Sequence, residues 1–261
     1  MNYTLITGAT SGIGLALARV FAKHKSNLVL VARHEDKLKE VASSLEREFG
    51  VSVHTFPQDL SVPGAASQLY KHIEEQGLTI DVLVNNAGFA VHGEFALVSL
   101  HDHLQTVELN ITALTELTYL VLPGMIELGE GKILNISSTA AFQPGPLMSV
   151  YYASKAYVLW FSEALHNELK SKGISVTCLC PGPTKTAFQD YSEIGHSRLI
   201  TYSGMMQAGT VAQVGFNALM KNKAVVVPGF VNKLLAFGTR LFPRSAVVAM
   251  SRWALGSREN T

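Results

Sequence analysis

Thr7-Gly8-Ala9-Thr10-Ser11-Gly12-Ile13-Gly14 is the stretch on which the reading of this chain turns. It leaves a short aliphatic and β-branched run, Tyr3–Thr7, and opens a pattern with helical spacing over Ile13–His24. Glycines at a strand-to-helix junction permit a tight turn and let the backbone approach a pyrophosphate. The free N–H groups and the dipole at the helix start attract that anion. The spacing is G-x-x-x-G-x-G, not the G-x-G-x-x-G of the general dinucleotide fingerprint. Three glycines in a loop are common; their position at the first junction of an alternating chain gives them weight.

Outward from that turn, short apolar runs recur at Leu28–Val31, Val51–Phe56, Ile80–Val84, Lys132–Ile136, Ile174–Leu179 and Ala224–Val227. Longer amphipathic segments separate them, such as Glu35–Phe49 with Leu38, Val41, Ala42, Leu45 and Phe49 at helical spacing. Strands separated by helices imply parallel pairing through right-handed crossovers, hence a sheet covered on both faces. No repeat or linker divides the chain, so one doubly wound α/β domain is expected over residues 1–261. Residues 181–209, rich in Pro, Gly, Thr and Ser, follow the sixth strand and are expected to form a substrate lid over the crevice at the strands' carboxyl ends.

Composition sets outer limits. At 261 residues, 48% hydrophobic and 16% charged, the chain can bury a large core, and a net charge of +1 gives no reason to propose a nucleic-acid partner. Cys178 and Cys180 lie in an apolar run where alternation puts both on one strand face, as buried thiols. No basic segment followed by an apolar one opens the chain, and no charge-free apolar run reaches about 20 residues. A cytoplasmic enzyme is the expectation. The nine histidines suggest no metal site: His101 and His103, the closest pair, point apart on a helix.

Further motifs follow in order. Asn85-Asn86-Ala87-Gly88 ends the fourth apolar run, Asn110 lies on the next helical segment, and Ser138 follows the fifth run. Tyr151-x-x-x-Lys155 begins another helix, and Pro181-Gly182-x-x-x-Thr186 follows the sixth run. With the glycine turn, these resemble the short-chain dehydrogenase/reductase family over roughly residues 3–230. The resemblance implies a Rossmann-type fold, a nicotinamide cofactor and interconversion of a carbonyl and an alcohol.

Cofactor contacts implied by the resemblance begin with Gly8, Ser11, Gly12, Ile13 and Gly14. Asp59 and Leu60 are expected at the adenine, Asp59 also being placed to cap the next helix. Asn86 is expected beside the adenosine ribose and central strand, and Thr184 and Thr186 at the nicotinamide carboxamide. At the end of the second strand stands Arg33, where an acid would favour NAD and a guanidinium suits a 2′-phosphate. Glu35 and Asp36 lie beyond that end, where acids oppose the helix dipole. The expected cofactor is therefore NADP(H), with NAD as the alternative.

Tyr151 and Lys155, four apart, share one face of a helix. In the mechanism implied by the resemblance, Tyr151 protonates the carbonyl oxygen; Lys155, together with the positive nicotinamide ring of the oxidised complex, lowers the tyrosine pKa, and it also holds the nicotinamide ribose. Ser138 stabilises charge on the oxygen, and Asn110 holds a water that feeds protons to Lys155. Tyr152 competes by adjacency, but its partner four residues on is Ala156. Phe89, Val91, Ala140, Phe142, Leu147, Met148, Phe188 and Tyr191 are candidates for an apolar substrate pocket, with lid packing as the alternative. A catalytically silent nicotinamide-sensing protein is the rival from another class, yet serine, tyrosine and lysine are all present.

The helical segments around 104–125 and 151–170 resemble those that pair subunits in the family, so a homodimer or homotetramer is expected. Val158, Leu159, Phe161, Ala164 and Leu165 are its candidate contacts, with burial in the protomer core as the alternative for each. From Lys221 onward the chain has seven basic residues and one acid. Phe230, Val231, Leu234, Leu235, Leu241 and Phe242 fall near one helical stripe. This C-terminal amphipathic extension, 228–261, is expected to cover the crevice or a subunit, or to rest on an anionic membrane.

Overall fold

The computed structural model describes residues 1–186, 197–198 and 205–256. Seven parallel strands form the central sheet: β1 (Asn2–Thr7), β2 (Asn27–Ala32), β3 (Val53–Pro57), β4 (Thr79–Asn85), β5 (Gly131–Ile136), β6 (Ile174–Leu179) and β9 (Val225–Val226). Their spatial order is β3-β2-β1-β4-β5-β6-β9. The chain winds outward from β1 to β3, returns to the other side of β1, and winds outward again. The reversal between β1 and β4 opens a crevice at their carboxyl ends, the place where doubly wound sheets bind ligands.

Strand alternation sends side chains to two separate cores. Tyr3, Leu5, Val29 and Leu83 pack on one face under α3 (Ala65–Glu75), α5 (Ala113–Leu128) and the end of α6 (Ser149–Leu169). Ile6, Leu30, Val84 and Leu134 pack on the other under α1 (Gly12–Lys23), α2 (Glu35–Phe49) and α7 (Ala208–Met220). Phe21 of α1 is buried there, edge-on to Phe216 of α7 at 5.0 Å between ring centroids. In α2, Leu38, Ala42 and Leu45 face inward, and Gly50 ends the helix in the left-handed region at φ 64°. Cys178 and Cys180 are buried free thiols, 3.7 Å apart between sulfurs.

The helix running from α4 (Leu100–Val107) into α5 is interrupted by a π turn over Glu108–Thr112 that carries Asn110. Such an inserted residue locally widens a helix and is frequent at functional sites. This long apolar helix lends Leu117, Val121 and Met125 to the core. The span 181–209 is described at residues 197–198 and at its two ends. There β7 (Thr184–Lys185) pairs in parallel with β8 (Met206–Gln207), so the chain leaves and returns at one point. Most of the expected lid, with Phe188 and Tyr191, lies outside the described residues.

After β9 the C-terminal stripe is two helices, α8 (Phe230–Gly238) and α9 (Arg244–Leu255). Leu241 and Phe242 fall in the turn between them, before Pro243, whose ring cannot continue a helix interior. Two expectations about packing are corrected. Val158 and Leu159 are buried in the chain's own core with Cys178 and Cys180, so they are not available to a second subunit. Asp59 does not cap α3, which starts six residues later behind Gly64; its carboxylate instead accepts Ser61 N–H and Oγ–H at 3.0 and 2.7 Å.

Candidate functional site

The glycine turn fills the gap between β1 and β4. Gly8 and Gly12 have φ of 66° and 55°, values at which a Cβ is strained. Gly14 is required by space: a Cβ there would collide with the Gly8 carbonyl oxygen and Asn86 Nδ2. A Cβ on Gly12 would come 2.9 Å from Cγ2 of Thr186, so the Pro-Gly loop after β6 closes on the same turn. Ser11 is the N-cap of α1 and makes no capping bond with its side chain. The first N–H groups of α1 therefore have no side-chain acceptor at the cap, as an anion-binding helix start requires. Ile13 packs against the core behind the turn, and Leu60 is buried under the other face.

Asn86 locks this geometry. Its amide donates to the Thr7 and Gly8 carbonyls at 2.9 and 3.2 Å. The Thr7 hydroxyl accepts the N–H groups of Asn86 and Ala87, both at 3.0 Å. The side chain expected beside a ribose is thus committed to the turn itself. Thr7 was missed in the sequence reading. Its signal is a small hydroxyl residue at the last strand position before the first glycine.

Arg33 is exposed just past β2, with no acid within ion-pair distance among the described residues. Glu35 and Asp36 occupy the first turn of α2, and Glu35 is taken by Lys39 at 2.7 Å. Thr184 is buried, its hydroxyl donating to the Gly182 carbonyl at 2.9 Å. A cradle shaped by three glycines and an open helix start fits the pyrophosphate of a nicotinamide dinucleotide, and a cation stands at the end of β2.

Ser138, Tyr151 and Lys155 meet between β5 and α6. Ser138 begins the short 3-10 turn Thr139–Phe142, its hydroxyl accepting Ala140 N–H at 3.1 Å. It also hydrogen-bonds the Tyr151 hydroxyl. Lys155 is buried, donating to the Ile136 carbonyl at 3.0 Å, and its Nζ lies 5.7 Å from the Tyr151 ring centroid. Ser137 fixes the backbone behind it by donating to the Lys155 carbonyl at 2.7 Å. Asn110 holds the front: it accepts Phe89 N–H and donates to the Phe89 carbonyl and Ser154 Oγ, all at 2.9 Å. A Cβ on Gly88 would sit 3.4 Å from both Asn110 Oδ1 and Lys155 Nζ, so the Asn-Asn-Ala-Gly loop runs alongside the lysine.

The electrostatics differ from the sequence expectation. Burial pushes the Tyr151 phenol up to about 12, against the bond from Ser138, which acts to lower it. Burial also brings Lys155 down to about 8, with the Cys178 and Cys180 sulfurs opposing. Lys155 does not offset this burial, its ammonium being bonded to the Ile136 carbonyl; the expected lowering also invokes the positive nicotinamide ring, which belongs to the oxidised complex. Tyr152 packs under Gly145 and beside Met148 and Leu255, its ring edge-on to that of Tyr151 at 6.0 Å between centroids.

Of the pocket candidates, Ala140, Leu147 and Met148 gather with Ala90, Tyr151, Tyr152 and Leu255. Leu147 holds a left-handed φ of 72°, a strained value for a side chain of this size, next to the tyrosines. Phe142 packs elsewhere, against Leu114, Val158 and the cysteine pair. Phe89 and Val91 are half-buried on the loop after β4.

The family model for short chain dehydrogenases matches residues 2–195. A very-long-chain 3-oxoacyl-CoA reductase of Rattus norvegicus is 40% identical over 186 residues, covering 69% of this chain and 58% of the relative. The chain thus spans less than two thirds of that relative's length. Among solved structures, a short-chain dehydrogenase of Sphingobium yanoikuyae in complex with NADPH superposes with a TM-score of 0.83 at 33% identity. That match covers 92% of this chain and 94% of the other. A bulky-bulky ketone specific alcohol dehydrogenase of Comamonas testosteroni gives a TM-score of 0.78 at 30% identity, covering 92% and 93%.

Proposed function

The chain belongs to the short-chain dehydrogenase/reductase family of NAD(P)-dependent oxidoreductases, and on that premise we propose that it reduces a lipophilic ketone or aldehyde to an alcohol with NADPH. The observation that carries this reading is the meeting of Ser138, Tyr151 and Lys155 beside the glycine cradle. When bound, the nicotinamide dinucleotide supplies the hydride.

The chain's own groups do the rest. Gly8, Ser11, Gly12, Ile13 and Gly14 receive the pyrophosphate, and Arg33 pairs with the 2′-phosphate. Asp59 and Leu60 border the adenine, Asn86 keeps the turn in shape, and Thr184 and Thr186 hold the carboxamide. Ser138 donates a hydrogen bond to the substrate oxygen as negative charge builds there. Tyr151 delivers the proton. A phenol pushed up to about 12 stays protonated at neutral pH, which is the state an acid in the reductive direction requires. Lys155, an ammonium below about pH 8, holds ribose hydroxyls and favours the tyrosinate left after transfer. Asn110 fixes the loop that faces it and, through Ser154, the first turns of α6.

Lipophilicity of the substrate is supported by the apolar group Ala90, Ala140, Leu147 and Met148 beside Tyr151 and by the acyl and bulky-ketone substrates in the relatives' names. A homodimer or homotetramer is part of the same reading, with Tyr119 of α5 and Trp160 of α6 exposed as contacts. The test is a panel of acyl, steroid-like and aromatic carbonyls assayed with NADPH and with NADH. Faster turnover of apolar carbonyls with NADPH is the expected result. Preference for NADH, or for small charged substrates, would overturn the finer assignment.

A further inference from the structure

In an ordinary surface helix the apolar stripe faces the protein and the polar side faces water. Helix α8 is built the other way round. Phe230, Val231, Leu234, Leu235 and Phe237 fall within roughly 160° of its circumference at 100° per residue. All five are more than half exposed, from 56% at Phe237 to 80% at Phe230. The side turned to the protein carries Ala236, buried, and Asn232, whose amide donates to the Pro228 carbonyl at 2.8 Å and lies against Gly182. The exposed surface continues through Leu241 and Phe242 in the turn, and through Met250 and Trp253 on α9.

The position of this face is fixed. Helix α9 buries Val247, Ser251 and Leu255, one side at four-residue spacing. Leu255 packs with Ala140, Met148 and Tyr152, and its carbonyl is bonded to the His92 ring at 2.8 Å. The outward apolar surface is therefore anchored on the same rim of the sheet as Tyr151. Its charge is one-signed: no Asp or Glu occurs from Lys221 to Gly256. Lys233, Arg240 and Arg244 flank the apolar residues and have no ion pair among the described residues. Arg252 reaches Glu94 at 3.6 Å.

We propose that α8 and the Thr239–Pro243 turn form a docking surface for an anionic phospholipid bilayer, on which the protein rests without crossing it. Nine residues are too short to span a hydrocarbon core that needs about 20. An apolar face with a cationic border suits the headgroup boundary, where the side chains enter the acyl region and the cations meet lipid phosphates. A single-signed surface of this kind offers no acidic partner for a second copy's cations. The inference does not depend on the substrate or cofactor assigned above.

The test uses the full chain and sedimentation with vesicles, a readout that requires no turnover. Association is expected with vesicles of phosphatidylcholine and phosphatidylglycerol at low salt. It should weaken as salt rises and be much weaker with phosphatidylcholine alone. The double substitution Leu234→Glu/Phe242→Glu should lower the partition coefficient by about tenfold or more. Lys233→Ala/Arg240→Ala should lower it by about tenfold on anionic vesicles only. Both variants are at exposed positions, and unchanged thermal unfolding and sedimentation coefficient will verify that they fold. Failure of the wild-type protein to bind anionic vesicles, or undiminished binding by the folded variants, overturns the proposal. So does a wild-type oligomer that ignores vesicles and dissociates on Leu234→Glu/Phe242→Glu, which makes a second copy the occupant.

Discussion

The crest formed by the carboxyl ends of β1, β4 and β5, and the helix pair after β9, are built on opposite terms. At the crest, polar groups are inside: Thr7, Asn110, Ser137 and Lys155 are buried, and each is held by a hydrogen bond. In α8 and the turn after it, large apolar groups are outside. The first arrangement is specific, because a buried donor without its acceptor costs about 1–3 kcal/mol and few residue types satisfy each position. The second is permissive, since any large apolar side chain contributes similarly to a non-directional surface. One region is constrained by geometry, the other by sum.

Substitutions can break or sharpen that contrast. The largest expected effect lies in the core beneath the crest. Phe21→Ala should destabilise by about 3–5 kcal/mol, the usual cost of removing a buried aromatic ring. Phe230→Ala, at an exposed site, should stay within about 0.5 kcal/mol. Urea unfolding of the two variants measures both, and equal losses would mean that Phe230 is packed. Next comes the end of β2. Arg33→Asp removes charge-assisted bonds of about 1.5–3 kcal/mol, so KM for NADPH should rise at least about tenfold while use of NADH improves. Gly14→Ala pushes a methyl into the Gly8 carbonyl and Asn86, an overpacking of about 1–3 kcal/mol. Calorimetric titration with NADPH should show weaker binding, whereas Gly238→Ala, whose Cβ would meet nothing within 4 Å, should leave it unchanged.

The smallest effect is in pH. Lys155 loses its proton as pH rises through about 8, while Tyr151 keeps its own to about 12. Reduction at saturating substrate should be level below about pH 8 and decline above it. A Lys155→Met variant, slower throughout, should lack that decline. A profile that instead falls on the acid side of pH 8 would assign the titration to another group.

How much could be read from the chain alone follows the same division. The seven parallel strands and the positions of Gly8, Gly12, Gly14 and Arg33 were legible because turns and strand ends demand particular residue types at fixed spacing. Helix α2 was legible to the residue, since Leu38, Ala42 and Leu45 mark its inner face and Gly50 its end. The bond network was not legible. Nothing in the spacing of Thr7 and Asn86, 79 residues apart, says that one hydroxyl accepts from the other's backbone. The burial of Tyr151, which raises its phenol among the chain's own groups, was not legible either, because i,i+4 spacing gives proximity to Lys155 but not depth. In the C-terminal extension the stripe was visible, yet periodicity does not tell which side of a stripe meets the protein. Nor did it show the break at Pro243 that puts Leu241 and Phe242 in a turn.

The central claim is that Tyr151 gives the proton in a reduction supported by Ser138 and Lys155. Single-turnover reduction of a responsive carbonyl by Tyr151→Phe, with NADPH affinity measured separately by fluorescence, tests it most directly. The hydride-transfer rate should fall by about two orders of magnitude or more while NADPH binding stays near the wild-type value. Turnover within a fewfold of wild type in that variant would contradict the assignment and move the acid elsewhere.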